Sequence, residues 1–410
     1  MTRGILVLNS GSSSIKFALY PVDPANNERP RLIGEVEGIG HDARLRVSDV
    51  GGKTIADEAI DGPVSHHAAL AALLSWIGAH SAGFELAAAG HRVAHGGLKF
   101  TGPVAITPEV LRGLEALIPL VPLHQPHNLA AISALSELHP SLPQVACFDT
   151  SFHSTQPSIA TTFALPRELR DKGVRRYGFH GLSYEYIASI LPNHLDARAD
   201  GKVVVAHLGH GASMCAMIRR QSVATTMGFS SLDGLVMGTR CGALDPGVVL
   251  YLLEYERMSS KQISHLLYEE SGLLGVSEIS DDMRDLLASD DRAAAEAIDL
   301  FVYRIVRELG SLAAALGGID ALVFTGGIGA HAPEIRARVC EQVAWLGVGL
   351  DDRANDAGGP SISAAATPVP VFALPTDEEL VIARHTRARI SPLDQEPLPD
   401  EPKPSTRRSV

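Results

Sequence analysis

The sequence predicts an α/β fold built from two similarly organised halves, and three observations predict it. Apolar strand-like runs alternate with stretches of helical 3 to 4 periodicity along most of the chain. The layout of residues 4–20, an apolar strand, a Gly/Ser turn and a second apolar strand, returns at residues 202–220. The 410 residues give chain enough for two to three domains at roughly 150 residues each.

In chain order, GILVLNSGSSSIKFALY (4–20) reads as strand, turn, strand, closed by Pro21. RLIGEVEGI, ARLRVSDV and KTIADEAI continue as short strands between residues 29 and 60, with Gly51-Gly52 as a hairpin turn. HHAALAALLSWI, from His66 to Ile77, is helical, and AAAGHRVAHGG is a buried strand ending in a glycine loop. IPLVPLHQPHNLAAISAL leads into another helix, and QVACFDTSFH is a strand running into a polar loop. The second cycle opens with KVVVAHLGHGASMCAMIRR near residue 200. Residues 294–317 carry the clearest helical periodicity in the chain; ALVF then reads as a strand, TGGIG as a glycine turn, and a helix starts at Pro333. The expected division is residues 1–150 with a return of about 380–390, then 151–379, with the proline-rich, charged residues 391–410 as a disordered tail.

Composition excludes several function classes. Thirty-five Lys+Arg against 47 Asp+Glu leave a formal charge of -12, so no global field attracts nucleic acid or an anionic membrane. Any anionic ligand must be met by local cations. Cys147, Cys215, Cys241 and Cys340 are scattered without a CxxC or metal-ligand spacing, which favours reduced thiols over a disulfide framework or a zinc site. No apolar run approaches the ~20 residues needed to cross a bilayer, and MTRGILVLNSG is too short in apolar residues for a signal peptide, so a cytoplasmic location is expected.

Three glycine-containing turns could bring backbone amides close to phosphate: Asn9 to Lys16, Leu208 to Ser213 and Gly326 to Gly329. Such a turn between strands is more often a plain hairpin, and it is their recurrence in matching contexts that singles these out. GSSSIK lacks the glycine before lysine of a P-loop and is followed by a strand-like run, which disfavours a Walker fold.

Two strand-turn-strand loops in two α/β halves, with a later strand-GGIG-helix element, resemble the actin, sugar kinase and Hsp70 superfamily. LNSGSSSIKF, HRVAHGG, PLHQPHN, FDTSFH, RYGFHG, HLGHGAS, TTMGFSSLDGL, MGTRCGALDPG, SDDMR, FTGGIG and PTDEELVIARHT occur in the order and at about the spacings of the acetate kinase family, over about residues 4–388. The resemblance implies two duplicated actin-like (ribonuclease H-like) α/β domains with a cleft between them. It also implies reversible transfer of the ATP γ-phosphoryl group to acetate, giving acetyl phosphate and ADP, with propionate or another short acid as the alternative acceptor. It further implies Mg²⁺, which Mn²⁺ could replace, and a homodimer formed through the C-terminal domain.

Phosphoryl transfer needs held phosphates, cations for the equatorial oxygens and a nucleophile in line. Arg92 and Arg240 suit a carboxylate and a migrating phosphoryl because guanidinium binds both as a fork, and both match the family's substrate-binding arginines. His180 matches the histidine that stabilises the transition state, and Asp149 matches the family's catalytic aspartate. An acid ionised at pH 7 needs no general base, so Asp149 is expected chiefly to organise the metal and its waters. The resemblance links Asn9 and Glu378 to magnesium, with Glu379 as the adjacent alternative. It places Lys16, His207, Leu208, Gly209, His210 and Gly211, Asp282, Met283 and Arg284, and Gly327, Ile328, Gly329, Ala330 and His331 on the nucleotide, and Val93, Leu123 and Phe179 around the acyl group. A single methylene changes binding by only about 1 to 3 kcal/mol, so acetate and propionate are close competitors in such a pocket.

The chain departs from the family pattern at His210, where asparagine is common, and at Ala330-His331, which replace Glu-Asn. Leu182 and Tyr184 replace Thr and His, Gln125 an asparagine, Ala224 an aspartate, and Ser231 a frequent proline at the acyl pocket. A non-catalytic nucleotide-binding protein on the same fold would be expected to lack the acid-binding arginines, whereas Arg92, Arg240 and His180 are all present.

Overall fold

The computed structural model describes residues 2–23, 28–62, 64–80 and 84–390, and the tail expected at 391–410 lies outside them. The first half opens with β1 (Thr2–Ser10), β2 (Ser14–Pro21), β3 (Leu32–Glu37), β4 (Arg44–Asp49) and β5 (Thr54–Ala59), followed by β6 (Phe84–Val93), β7 (Val104–Ala105) and β8 (Gln144–Phe148). They form one sheet in the order β5-β4-β3-β2-β1-β6-β8-β7. The meander β1 to β5 is antiparallel, as the turn chemistry predicts, and Gly52 donates to the Asp49 carbonyl in the β4–β5 turn. By contrast β1, β6 and β8 run parallel. Parallel neighbours need crossovers, supplied here by helices His66–His80 and Gln125–Leu138.

Period-2 alternation decides which side of β1 faces which layer. Leu6 and Leu8 pack with Leu70, Leu73 and Leu135 of the crossover helices. Ile5 and Val7 pack on the opposite face with Leu380, Val381 and Ile382 of the helix Glu378–Ile390. A strand sandwiched in this way must be apolar on both sides, hence the unbroken run ILVL.

The second half repeats the scheme with β9 (Lys202–Leu208), β10 (Ala212–Ile218), β11 (Gln221–Thr225), β12 (Ala321–Thr325) and β13 (Val371–Ala373), in the order β11-β10-β9-β12-β13. β9 and β10 form the expected hairpin, while β12 runs parallel to β9 and to β13. The helix read at 294–317 spans Arg292–Leu316. Asp291 caps its first turn by accepting from the Ala293 amide, and Gly317 ends it in the left-handed conformation. Its Ile298, Phe301, Ile305, Leu309 and Leu312 stripe packs on Val204 and Ala206 of β9, while Val203 and Val205 face Ile187 and Leu191 of the opposite layer.

TGGIG corrects the sequence reading. It is not a turn: β12 runs directly into a short helix, Gly326–His331. Gly326 makes this sharp entry with φ 78°, and a Cβ there would lie 2.6 Å from the Leu208 carbonyl oxygen, so only glycine fits. Helices Gly181–Ile190, Pro246–Glu254 and Glu378–Ile390 were not evident from periodicity. The first of these joins the halves: Leu182 belongs to the cluster of Ile5 and Val7, whereas Tyr184 and Ile187 belong to that of Val203 and Val205.

Candidate active site

Parallel pairing brings three polar side chains to one sheet edge. Leu8 is in register with His91, and Val93 with Phe148, so Asn9, Arg92 and Asp149 emerge together at the C-terminal ends of β1, β6 and β8. Open α/β sheets place their ligand crevices at such ends. Arg92 grips Asp149 as a fork, Nε to Oδ1 at 3.0 Å and Nη2 to Oδ2 at 2.6 Å, and its Nη1 donates to Asn9 Oδ1 at 3.2 Å. Glu378, at the start of the returning C-terminal helix, places Oε2 3.8 Å from Arg92 Nε. Burial pushes the Glu378 carboxyl up to about 7, against the pull of Arg92 and with Asp149 adding to the rise.

The second half faces this cluster with His180 and Arg240. His180 precedes the helix Gly181–Ile190 in a left-handed conformation, φ 58°, which costs a non-glycine residue energy and is held here by its surroundings. Its Nδ1 lies 2.8 Å from Ser213 Oγ, and its ring stacks on His207 with centroids 4.3 Å apart. Burial, reinforced by His207, Arg92 and Arg240, holds the imidazole well below its ordinary pKa, so it is neutral. Arg240 donates from Nη1 to the Ser231 carbonyl at 3.1 Å and lies 3.7 Å from the Met237 sulfur. The two arginines therefore differ: Arg92 is committed to a carboxylate, whereas the side-chain partners of Arg240 here are neutral.

Asn9, Lys16, Arg92, Asp149, His180, Arg240 and Glu378 line one cavity of about 470 Å³, together with Phe179, His207 and Gly211. A second cavity of about 680 Å³ is lined by Asp282, Met283, Arg284, Ile328 and His331. Gly209, His210 and Gly327 border both, so the two adjoin. His210 Nε2 is 2.9 Å from Asp281 Oδ2 at this junction.

Other expected positions lie elsewhere. Val93 is buried among Ile132, Ala146 and Phe148, because strand alternation turns the next residue, Ala94, toward the cavity instead. Leu123 is 37% exposed and lines neither cavity. Leu208, Gly329 and Ala330 are buried behind the loops whose neighbours line them. The first cavity is also lined by Ala94, His124, Asn128 and Thr376, and by Ser231, the position already noted where a proline is frequent. His124 and Asn128 sit in the PLHQPHN motif and Thr376 in PTDEELVIARHT, two residues before Glu378.

Among the described residues no group of three or more His, Cys, Asp or Glu is arranged to hold a metal. Asp149, Glu378 and the Asn9 amide oxygen form a hard-oxygen set in the first cavity. That set suits a cation held mainly by phosphates and water, and not one caged by protein.

The model of the acetokinase family matches residues 4–384. The chain belongs to the acetokinase family. An acetate kinase of Rhodopseudomonas palustris is 61% identical over 389 residues, covering 94% of this chain and 98% of that protein. Among solved structures, the Porphyromonas gingivalis acetate kinase superposes with TM-score 0.85 at 37% identity, covering 95% of this chain and all of that one. A propionate kinase from Francisella tularensis superposes with TM-score 0.88 at 35% identity over the same share of both chains. As an acetokinase the chain has the expected α/β fold of two actin-like halves; both halves line the first cavity, and residues 209–334 of the second half alone line the adjoining one.

Proposed function

We propose that this acetokinase transfers the γ-phosphoryl group of ATP to acetate, reversibly and directly, giving acetyl phosphate and ADP. The observation that carries this reading is the convergence of Arg92, Asp149, His180 and Arg240 on one cavity that adjoins a second of nucleotide size. Such an enzyme is a phosphotransferase with a carboxyl acceptor.

The chemistry asks little covalent work of the protein. Acetate arrives ionised and is its own nucleophile. Arg240, with its charge free toward the cavity, holds anionic oxygens of the acid and of the migrating phosphoryl. Neutral His180 donates a hydrogen bond to a phosphoryl oxygen as charge shifts onto it. Lys16 meets the phosphate chain, and Asp282 to Arg284 with Gly327, Ile328 and His331 enclose the nucleoside. Asn9, Asp149 and Glu378 would hold Mg²⁺ through its waters, and the ion when bound neutralises the nucleotide phosphates. Arg92 orients Asp149 within this set and, once an acid is present, its exposed edge contributes to carboxylate binding.

The halves divide near residue 150, with the C-terminal helix returning to the first, and they close over the ligands to exclude water. Two copies pair through the C-terminal half. The helix Pro246–Glu254 supports this, since none of its residues is buried within the chain, and Leu250, Tyr251 and the following Tyr255 are 56%, 50% and 75% exposed. A helix of nine residues needs tertiary contacts to persist, and a second copy provides them. No helix among the described residues is long and apolar enough to cross a membrane. Incubation with ATP, Mg²⁺ and acetate in hydroxylamine tests the activity: acetohydroxamate is expected, and nucleotide binding without product would contradict the proposal.

A further inference from the structure

His180 has two ring nitrogens, and because burial keeps the ring neutral only one of them carries a hydrogen. Which one decides whether the cavity is offered a donor or a lone pair. A Cβ built on Gly211 would lie 3.2 Å from His180 Nε2 and 3.9 Å from Arg240 Nη1, so Nε2 is the nitrogen beside Arg240 at the cavity wall. The other nitrogen, Nδ1, faces away, 2.8 Å from Ser213 Oγ.

Ser213 does not act alone. Its Oγ is also 2.5 Å from the hydroxyl of Tyr184, and both residues are fully buried. Tyr184 lies one helical turn beyond His180, and Ser213 stands in β10 opposite His207 of β9. Ser213 thus has one proton for two contacts. A phenol, with a pKa near 10, is a far stronger acid than an aliphatic alcohol, so Tyr184 donates to Ser213. An imidazole nitrogen is a better acceptor than a phenol oxygen, so the Ser213 proton goes to Nδ1.

We propose that Ser213, oriented by Tyr184, is a positioning residue that holds His180 in the tautomer with its hydrogen on Nε2, facing the cavity. With this tautomer a donor is in place before charge develops on the phosphoryl oxygen, and no reorganisation is needed during transfer. The opposite tautomer would aim a lone pair at an anion. Tyr184 supplies the phenolic arm of this relay. The inference rests on the reading of His180 as a donor to the transferred group.

The test uses the intact protein with ¹⁵N-labelled histidine. Two-bond ¹⁵N–¹H correlations read the tautomer, and His180→Asn identifies the signal. Wild type is expected to show hydrogen on Nε2 alone. In Ser213→Ala the ring also populates the Nδ1–H form and kcat falls at least about tenfold, while KM for ATP and for acetate stays within about threefold. Ser213→Thr, which keeps the hydroxyl, restores most of kcat. Tyr184→Phe, which preserves the ring packing, lowers kcat severalfold and carries the test if Ser213→Ala does not fold. A wild-type ring with its hydrogen on Nδ1, or a folded Ser213→Ala with unchanged tautomer and kcat, overturns the proposal. Unimpaired turnover in His180→Asn would instead remove His180 from the transfer while leaving the tautomer assignment standing.

Discussion

Asp149 and Gly181 meet backbone to backbone. The Gly181 amide donates to the Asp149 carbonyl at 2.8 Å, and a Cβ on Gly181 would lie 2.2 Å from that same oxygen. This contact ties the carboxylate gripped by Arg92 to the residue that follows His180, so the two sides of the cavity share one hydrogen bond. Gly181→Ala is expected to push Asp149 and His180 apart and to lower kcat about a hundredfold, the cost of roughly 1 Å of misplacement. Gly102→Ala is the control, because nothing lies within 4 Å of a Cβ there. Steady-state kinetics with Tm for both variants make the comparison, and equal behaviour of the two would refute the coupling.

The two arginines should fail in different ways. Arg240→Ala removes a cation whose side-chain partners here are neutral, so kcat falls about a thousandfold with the fold intact. Arg92→Ala strips the buried Asp149 of its fork and costs about 3 to 5 kcal/mol of stability as well as activity. Denaturant midpoints alongside kcat separate the cases; near-normal turnover in Arg240→Ala would remove that residue from the site.

Acid should unfold this protein early. Burial holds His91, His95, His153 and His207 down at about 4, below the ordinary 6.5. The folded state binds fewer protons than the unfolded chain between those values, so stability present above pH 6.5 is lost as pH falls toward 4. Each such histidine contributes a slope of up to about 1.4 kcal/mol per pH unit. Urea midpoints should fall steeply between pH 7 and pH 5; a flat profile would contradict the burial of these rings.

Assembly has its own test. Leu250→Glu combined with Tyr251→Glu places charge on the exposed face of the helix Pro246–Glu254 and is expected to convert a dimer to a monomer in light scattering. A wild-type monomer, or a double variant that stays dimeric, would move the interface elsewhere.

Much of the fold was legible because it is written in local pattern. The ILVL run with its glycine-serine turn, its echo at VVVAHL, and the stripe from Ile298 to Leu312 each fix an element. The cluster of Asn9, Arg92 and Asp149 was legible only through motif resemblance, since it depends on the parallel register of strands far apart in sequence. Helix Glu378–Ile390 was missed because LVIA is a contiguous apolar run that suits a strand equally well, and it is helical because Leu380, Val381 and Ile382 cover β1. Val93 was expected at the acyl pocket and lies in the core: a shift of one residue along a strand turns a side chain to the opposite face, and motif matching does not resolve that step.

The cavity that joins Arg92, His180 and Arg240 is expected to phosphorylate acetate. Measuring kcat/KM for acetate, propionate and butyrate side by side, with ATP and Mg²⁺ saturating and the acyl phosphate trapped by hydroxylamine, tests it most directly. Acetate should give the highest value; a value clearly higher for propionate or butyrate, or no acyl phosphate from any of the three, would contradict the account.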